Sequence, residues 1–328
     1  MERPIAQQFE TPALETNITG NIPDWCTYRI PYAEARQIDV EQGTIIRQFY
    51  SHILFFMEVI EVDLHEDLHA SYLIENPSLF LFLVLQGRMT FLTPDGKLIA
   101  EAPENICYAT YNRKGEYLYR LPKGKHLLCY LCPRAIWIIK HLNRYPRLKP
   151  FMERMENSDD LFGHMPPCRI DNDMKKSWEQ LFHDKQTGGI DLESLLSDHA
   201  KKVIDDYQRL LDIRFSQREY QIRDYLDANF ADPALSNYSI ADEFHITEKT
   251  LIEIFKDEFG TTPHNYLIQV RMEHAKRMLT EEKKPINEVY GKVGYKDLRS
   301  FSSQFKKTFK NTPLDYLKGR FLPFFWAL

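Results

Sequence analysis

The spacing of apolar residues changes character along the chain. Between about residues 43 and 133 they fall in short runs rich in β-formers, as in SLFLFLVLQGRMTFLTPDGKLIAEAP, where such runs flank Gln86-Gly87 and a Pro94-Asp95-Gly96 turn leads into Lys97–Glu101. HILFFMEVIEV, GEYLYRLP and KHLLCYLC repeat the pattern. Short strands separated by turn signals predict a sandwich or barrel, which serves as scaffold or encloses a small-molecule pocket. Residues 1–42 precede this pattern and read as an N-terminal arm.

From about 134 to 213 the period becomes helical, in IWIIKHLNRY, MKKSWEQLFHD and LESLLSDHAKKVIDDYQRLLDI, with Gly188-Gly189 separating the last two. Leu192, Leu195, Leu196, His199, Val203, Ile204, Tyr207, Leu210 and Leu211 form one long stripe. It packs on the barrel or pairs with its copy in a second subunit; the reading of 134–213 as a helical dimerisation and linker region takes the second course.

The last hundred residues contain a repeat. TEKTLIEIFKDEFGTTPHNY (247–266) aligns with DLRSFSSQFKKTFKNTPLDY (297–316) at an offset of 50. Leu251, Phe255 and Phe259 meet Phe301, Phe305 and Phe309; Lys256 meets Lys306; Thr262-Pro263 meets Thr312-Pro313; Tyr266 meets Tyr316. Upstream the offset is 49, so that Ile240 meets Val289 and His245 meets Gly294. Each copy predicts a short helix, a tight turn, a longer helix and a Pro-started helix, which is the helix-turn-helix plan. PHNYLIQVRMEHAKRMLTEE joins the copies.

In the second copy, VGYKDLRSFSSQFKKTFK, a helix from Asp297 places Leu298, Phe301, Phe305 and Phe309 on one face. Arg299, Ser303, Lys306 and Lys310, with Lys307 beside them, lie roughly 120° round the helix axis. Such a face suits the major groove: a guanidinium bonds a guanine edge bidentately, hydroxyls adapt to several edges, and lysines neutralise phosphates.

Composition sharpens this picture. The 328 residues allow two domains, and 43% hydrophobic with 27% charged residues is a globular balance. No run is long and apolar enough for a membrane helix, the N-terminus lacks a signal-peptide pattern, and five cysteines suit a reducing cytosol. A cytoplasmic, nucleoid-associated protein is expected. The net charge of −5 argues against a nucleic-acid partner, but its distribution does not. Residues 1–213 hold 24 Lys+Arg against 31 Asp+Glu, residues 214–270 hold 5 against 10, and residues 271–320 hold 13 against 6, a local +7. No catalytic constellation is read. His65 and His69 have no ligating cluster around them, and Cys129 and Cys132 alternate on a strand, so neither pair predicts a metal site. No cofactor is expected.

The stretch 238–320 resembles the DNA-binding domain of the AraC/XylS transcription regulators, on IADEFHITEKTLIEIFKDEFGTTPHNYL, VRMEHAKRMLTEEKKPINEV and VGYKDLRSFSSQFKKTFKNTPLDYL. The resemblance implies seven helices, two helix-turn-helix units joined by a linker helix, and transcription control at promoters. The front half is similar, in architecture alone, to the cupin-like effector and dimerisation domain of many members. Carried over by position, the first recognition helix would present Lys249, Thr250, Ile252 and Glu253 with Lys256 nearby; the second would present Leu298, Arg299, Ser300, Ser302 and Ser303 with Lys306 nearby. Three departures stand out. Tyr290 replaces a small Ala, with Gly291 as compensation. Lys310 replaces the Gly that caps the second recognition helix, so that a left-handed cap is expected to be lost there and kept at Gly260. Glu253 puts a carboxylate on the proposed DNA face, either to accept from a cytosine amino group or to repel phosphate.

The chain thus reads as multidomain: a mainly-β, cupin-like barrel over 43–133 with flanking helices, then an all-α double helix-turn-helix domain over 214–320. The apolar tail 321–328, FLPFFWAL, is expected to pack on its own domain. The expected function is a sequence-specific, DNA-binding transcription regulator with promoter DNA, a second copy of itself, a small-molecule effector and RNA polymerase as partners. The effector residues are unassigned. The alternatives are a metal-dependent cupin-type enzyme with an accessory DNA-binding domain, and a regulator that binds DNA without a ligand.

Overall fold

A computed structural model describes residues 3–10, 12–183 and 190–318. It contains two compact units, 1–214 and 215–328. The Gly188-Gly189 break and the 321–328 tail lie outside the described residues.

The front unit is built from β1 (Ala6–Phe9), β2 (Leu14–Asn17), β3 (Glu34–Val40), β4 (Gly43–Ser51), β5 (Phe55–Leu64), β6 (Leu68–Ile74), β7 (Ser78–Gln86), β8 (Met89–Leu92), β9 (Leu98–Ala102), β10 (Ile106–Asn112), β11 (Gly115–Leu121), β12 (Gly124–Pro133), β13 (Phe162–His164) and β14 (Cys168–Arg169). They form two sheets rather than one closed barrel. One runs β1-β6-β11-β8-β9; the other runs β13-β10-β7-β12-β5-β4-β3-β2, with β14 beside β10. Apolar side chains from both sheets meet between them, including Val62, Tyr72, Phe82, Val84, Tyr119 and Leu128. The segment before residue 43 is not a detached arm. β1 pairs with β6, and β3 pairs along its whole length with β4. Its alternation was masked in the sequence by polar residues, Arg36, Gln37 and Asp39, which are half-buried between Ala35, Ile38 and Val40.

The helices of this unit are α1 (Ala135–His141), followed by a 3-10 turn (Leu142–Arg144), α2 (Lys149–Asn157), α3 (Asn172–His183) and α4 (Ile190–Phe215). The long stripe is not a free association seam. Leu196, Val203, Ile204, Tyr207 and Leu211 of α4 are buried within the chain itself. The Tyr207 hydroxyl accepts the backbone N–H of Ala109 on β10 at 2.7 Å, Ser177 on α3 donates to Asp206 at 2.5 Å, and Tyr50 on β4 donates to Glu193 at 2.5 Å. Helical period specifies a face to be covered but not the molecule that covers it, and here the β-sheet and α3 do so. Cys129 and Cys132 are buried free thiols within β12, and His69 lies outward on β6.

The back unit comprises seven described helices: α5 (Arg218–Asn229), α6 (Asn237–Glu243), α7 (Glu248–Phe259), α8 (Pro263–Thr280), α9 (Ile286–Lys292), α10 (Leu298–Phe309) and α11 (Pro313–Leu317). The repeat becomes two small cores. Ile240, Leu251, Phe255 and Leu267 centre the first; Val289, Phe301, Phe305 and Met272 centre the second. Each of these buried side chains contributes roughly 1.5–3 kcal/mol of transfer free energy. α8 runs from one core to the other, giving Leu267 to the first and Met272, Ala275 and Leu279 to the second.

Candidate nucleic-acid interface

The local chemistry of each helix-turn-helix is written in its caps. Thr247 opens α7 by accepting the Thr250 N–H at 3.1 Å, and Asp297 opens α10 by accepting the Ser300 N–H at 2.8 Å. The Ser300 hydroxyl also donates to Asp297 at 2.8 Å. These two bonds, backbone first, hold the Asp297 carboxyl below the usual carboxylate range. The turns before the recognition helices need a left-handed residue, supplied by His245 (φ 51°) in the first and Gly294 (φ 78°) in the second. The 49-residue correspondence of His245 and Gly294 therefore marks a shared backbone conformation.

Two readings of the departures are corrected. The left-handed cap of α10 is kept: Lys310 adopts φ 59°, and its N–H bonds the Lys306 carbonyl at 2.9 Å, as Gly260 does to Lys256 at 2.8 Å. The backbone bond that closes the helix holds Lys310 in a conformation that L residues disfavour. Gly291 does not make room for Tyr290, because a Cβ there would meet open space. Tyr290 instead sits half-buried at the rim of the second core, while its counterpart Ala241 is buried inside the first.

On α10, Phe301 and Phe305 are fully buried and Phe309 partly so, but Leu298 is 45% exposed. Leu298 therefore belongs to the outer face with Arg299, Ser300, Ser303 and Lys306, all exposed, and with half-buried Ser302. The stem of the Ser300 side chain is outward, but its hydroxyl is engaged at the cap. Arg299 has no ion pair among the described residues. Beyond its cap the helix carries Arg299, Lys306 and Lys307 and no carboxylate.

α7 presents Lys249, Glu253 and Lys256 exposed, with Thr250 and Ile252 half-buried. Its cations are offset. Lys249 lies 3.8 Å from Glu253 one turn on, and Glu248, Asp257 and Glu258 share the helix. The Thr250 hydroxyl shares a bond with Thr247 at 2.9 Å.

The front unit holds a second feature that sequence reading missed. Arg47 on β4 and Glu58 on β5 point inward, in phase with apolar Ile45 and with Phe56 and Ile60. That phase was the available signal. Arg47 Nε and Nη2 bond the two Glu58 oxygens at 2.5 and 2.7 Å, Tyr130 donates to Glu58 at 2.5 Å, and Gln7 accepts from Arg47 Nη1 at 3.1 Å. Burial opposes the Arg47 charge, but the Glu58 carboxylate raises its pKa above the ordinary value. Burial, then Glu58, pushes the Tyr130 phenol well up. Arg47, Gln7 and Tyr130 edge a cavity of about 60 Å³ walled by Tyr72, Phe80, Phe82, Phe91 and Tyr119. It has room for a few waters or a very small molecule. Among the described residues no group of three His, Cys, Asp or Glu is placed to hold a metal ion, and no helix is long and apolar enough to cross a membrane.

Residues 240–319 match a family model described as a helix-turn-helix domain. The chain is similar to the HTH-type transcriptional activator RhaS of Shigella dysenteriae, at 23% identity over 78% of this chain and 87% of that one. It is also similar to RhaS of Escherichia coli, at 29% identity over 29% of this chain and 34% of that one. Among solved structures, apo ToxT K231A of Vibrio cholerae covers 80% of this chain and 97% of its own at 13% identity and a TM-score of 0.32. The matched segment coincides with the two caps, two turns and two cores described above, and the C-terminal part of the chain is a helix-turn-helix domain of the AraC type.

Proposed function

We propose that this protein is a sequence-specific, DNA-binding transcription regulator in which α10 is the principal reader and α7 the weaker one. The observation that carries the reading is the outer face of α10: Arg299, Ser303 and Lys306 exposed on a helix that a buried Phe pair and an Asp297 cap hold rigidly, with no carboxylate among them. Arg299 reads a base edge, Lys306 and Lys307 neutralise phosphate, and Ser302 and Ser303 adapt to neighbouring edges. On α7, Lys249, Thr250, Ile252 and Lys256 approach the adjacent groove against the repulsion of Glu253.

The cavity beside Arg47 is the place proposed for a small effector in the front unit. The cytoplasm is the compartment proposed, with a second copy and RNA polymerase as further partners and no enzymatic activity. The test is capture of genomic fragments by the full chain, followed by affinity measurements across a salt series. Each phosphate neutralised contributes about −0.9 to the slope of log affinity against log salt. A slope near zero, or no fragment selected over competitor DNA, contradicts the reading.

A further inference from the structure

The two helix-turn-helix units meet at one backbone junction. Phe230 closes α5 of the first unit, and its ring packs against both small cores. The ring also stacks on His274 of α8, with centroids 4.0 Å apart and planes 16° from parallel. The Phe230 carbonyl accepts from Arg271 Nε at 2.8 Å, and the Asp232 carbonyl accepts from Arg271 Nη2 at 2.6 Å. The same guanidinium lies 5.7 Å over the ring of Tyr295, in the turn of the second unit. Gly294 in that turn packs against the same carbonyl and guanidinium. A Cβ added there would come within 2.7 Å of the Phe230 carbonyl oxygen and 2.9 Å of Arg271 Nη2. In the first unit the equivalent position is His245, exposed and tolerant of a full side chain. The repeat therefore keeps one backbone conformation at both turns but requires glycine only where the units touch.

We propose that the junction of Arg271, Phe230 and Gly294 sets the separation and angle of α7 and α10, and so determines the spacing of DNA contacts read as a single site. Arg271 is a positioning residue and touches no base. α8 alone is a single helical connection; the guanidinium adds a second, by fixing the end of α5 against the turn before α10. Half-burial lowers the Arg271 pKa from its ordinary value, as expected for a cation held by carbonyls rather than by a carboxylate. This inference rests on the regulator reading, and its first test is independent of DNA.

Spin labels at Asp257→Cys and Lys307→Cys, exposed on α7 and α10, report the distance between the recognition helices; the five native cysteines all lie in the front unit and are buried. The otherwise unaltered full chain is expected to give one narrow distance distribution. Arg271→Met should at least double its width with the far-UV circular dichroism unchanged, Arg271→Lys should fall between, and His245→Gly should leave it unaltered. An unchanged width in both Arg271 variants overturns the proposal. The second test uses fragments selected from a random library by the full chain, intact or with one of the two contacted segments scrambled. Arg271→Met is expected to weaken binding to the intact fragment by about tenfold, through lost effective concentration, and to leave scrambled fragments within about twofold. Equal losses on both fragments overturn the positioning role and make Arg271 a direct contact. If the full chain selects no DNA, the regulator reading fails, while the distance measurement still decides the junction.

Discussion

α7 and α10 occupy the same frame and carry opposite charge. Leu251 and Phe301, Phe255 and Phe305, and the Thr-Pro starts of α8 and α11 keep their places. The divergence in charge falls on exposed and half-buried positions. α7 sets Lys249 and Lys256 among Glu248, Glu253, Asp257 and Glu258, whereas α10 has Arg299, Lys306 and Lys307 alone. A duplicated fold holds two copies to one geometry while leaving each surface free. The difference between the surfaces therefore separates what the frame requires from what the ligand does.

The largest expected effect tests that separation directly. Arg299→Ala should weaken binding to the preferred site by about 1–3 kcal/mol, the value of a bidentate base contact. Lys249→Ala should cost only a few tenths, because Glu253 already offsets its charge. Titration of both variants on one selected fragment measures the gap; equal losses would erase the asymmetry between the units.

A second effect, of about 1 kcal/mol, concerns the caps. Gly260→Ala should destabilise the back unit, and Lys310→Gly should stabilise it by a similar amount, since both positions are left-handed and only one has glycine. Thermal unfolding followed by helix signal gives the two shifts. Shifts of the same sign would mean that Lys310 gains from its surroundings something that glycine loses.

The back unit was far more legible in the sequence than the front. Phe301, Phe305 and the Thr-Pro signals specify helix phase and boundaries locally, and a second copy at fixed offset repeats the information. Lys310 was misread because a missing glycine was equated with a missing conformation; the closing hydrogen bond to Lys306 outweighs the residue's preference. In the front unit the decisive facts are long-range. Nothing near Val203 or Tyr207 says that their partners lie in the sheet, and nothing near Glu58 says that Arg47 is diagonal to it across β4 and β5. The inward phase of both charges was visible, but a charge in phase with a core indicates only that a partner must exist.

The smallest effect decides what Glu253 does. Its pairing with Lys249 is an exposed contact one turn apart, worth about 0.3–0.5 kcal/mol to the helix. Glu253→Gln removes that contribution and a negative charge from the face of α7 together. If the carboxylate repels phosphate, the substitution releases Lys249 toward the backbone of DNA: affinity should rise about twofold to threefold, and the salt slope should steepen by up to about 0.9. If the carboxylate accepts from a cytosine amino group, the amide replaces a charged acceptor with a neutral one, and affinity should fall only on fragments with cytosine at that position. A panel of selected fragments varied at one base pair, each titrated at two salt concentrations, separates the outcomes by sign. A fall confined to one base would make α7 a reader in its own right and reduce the contrast between the helices to one of charge; a uniform rise would leave α10 as the unit that chooses the sequence.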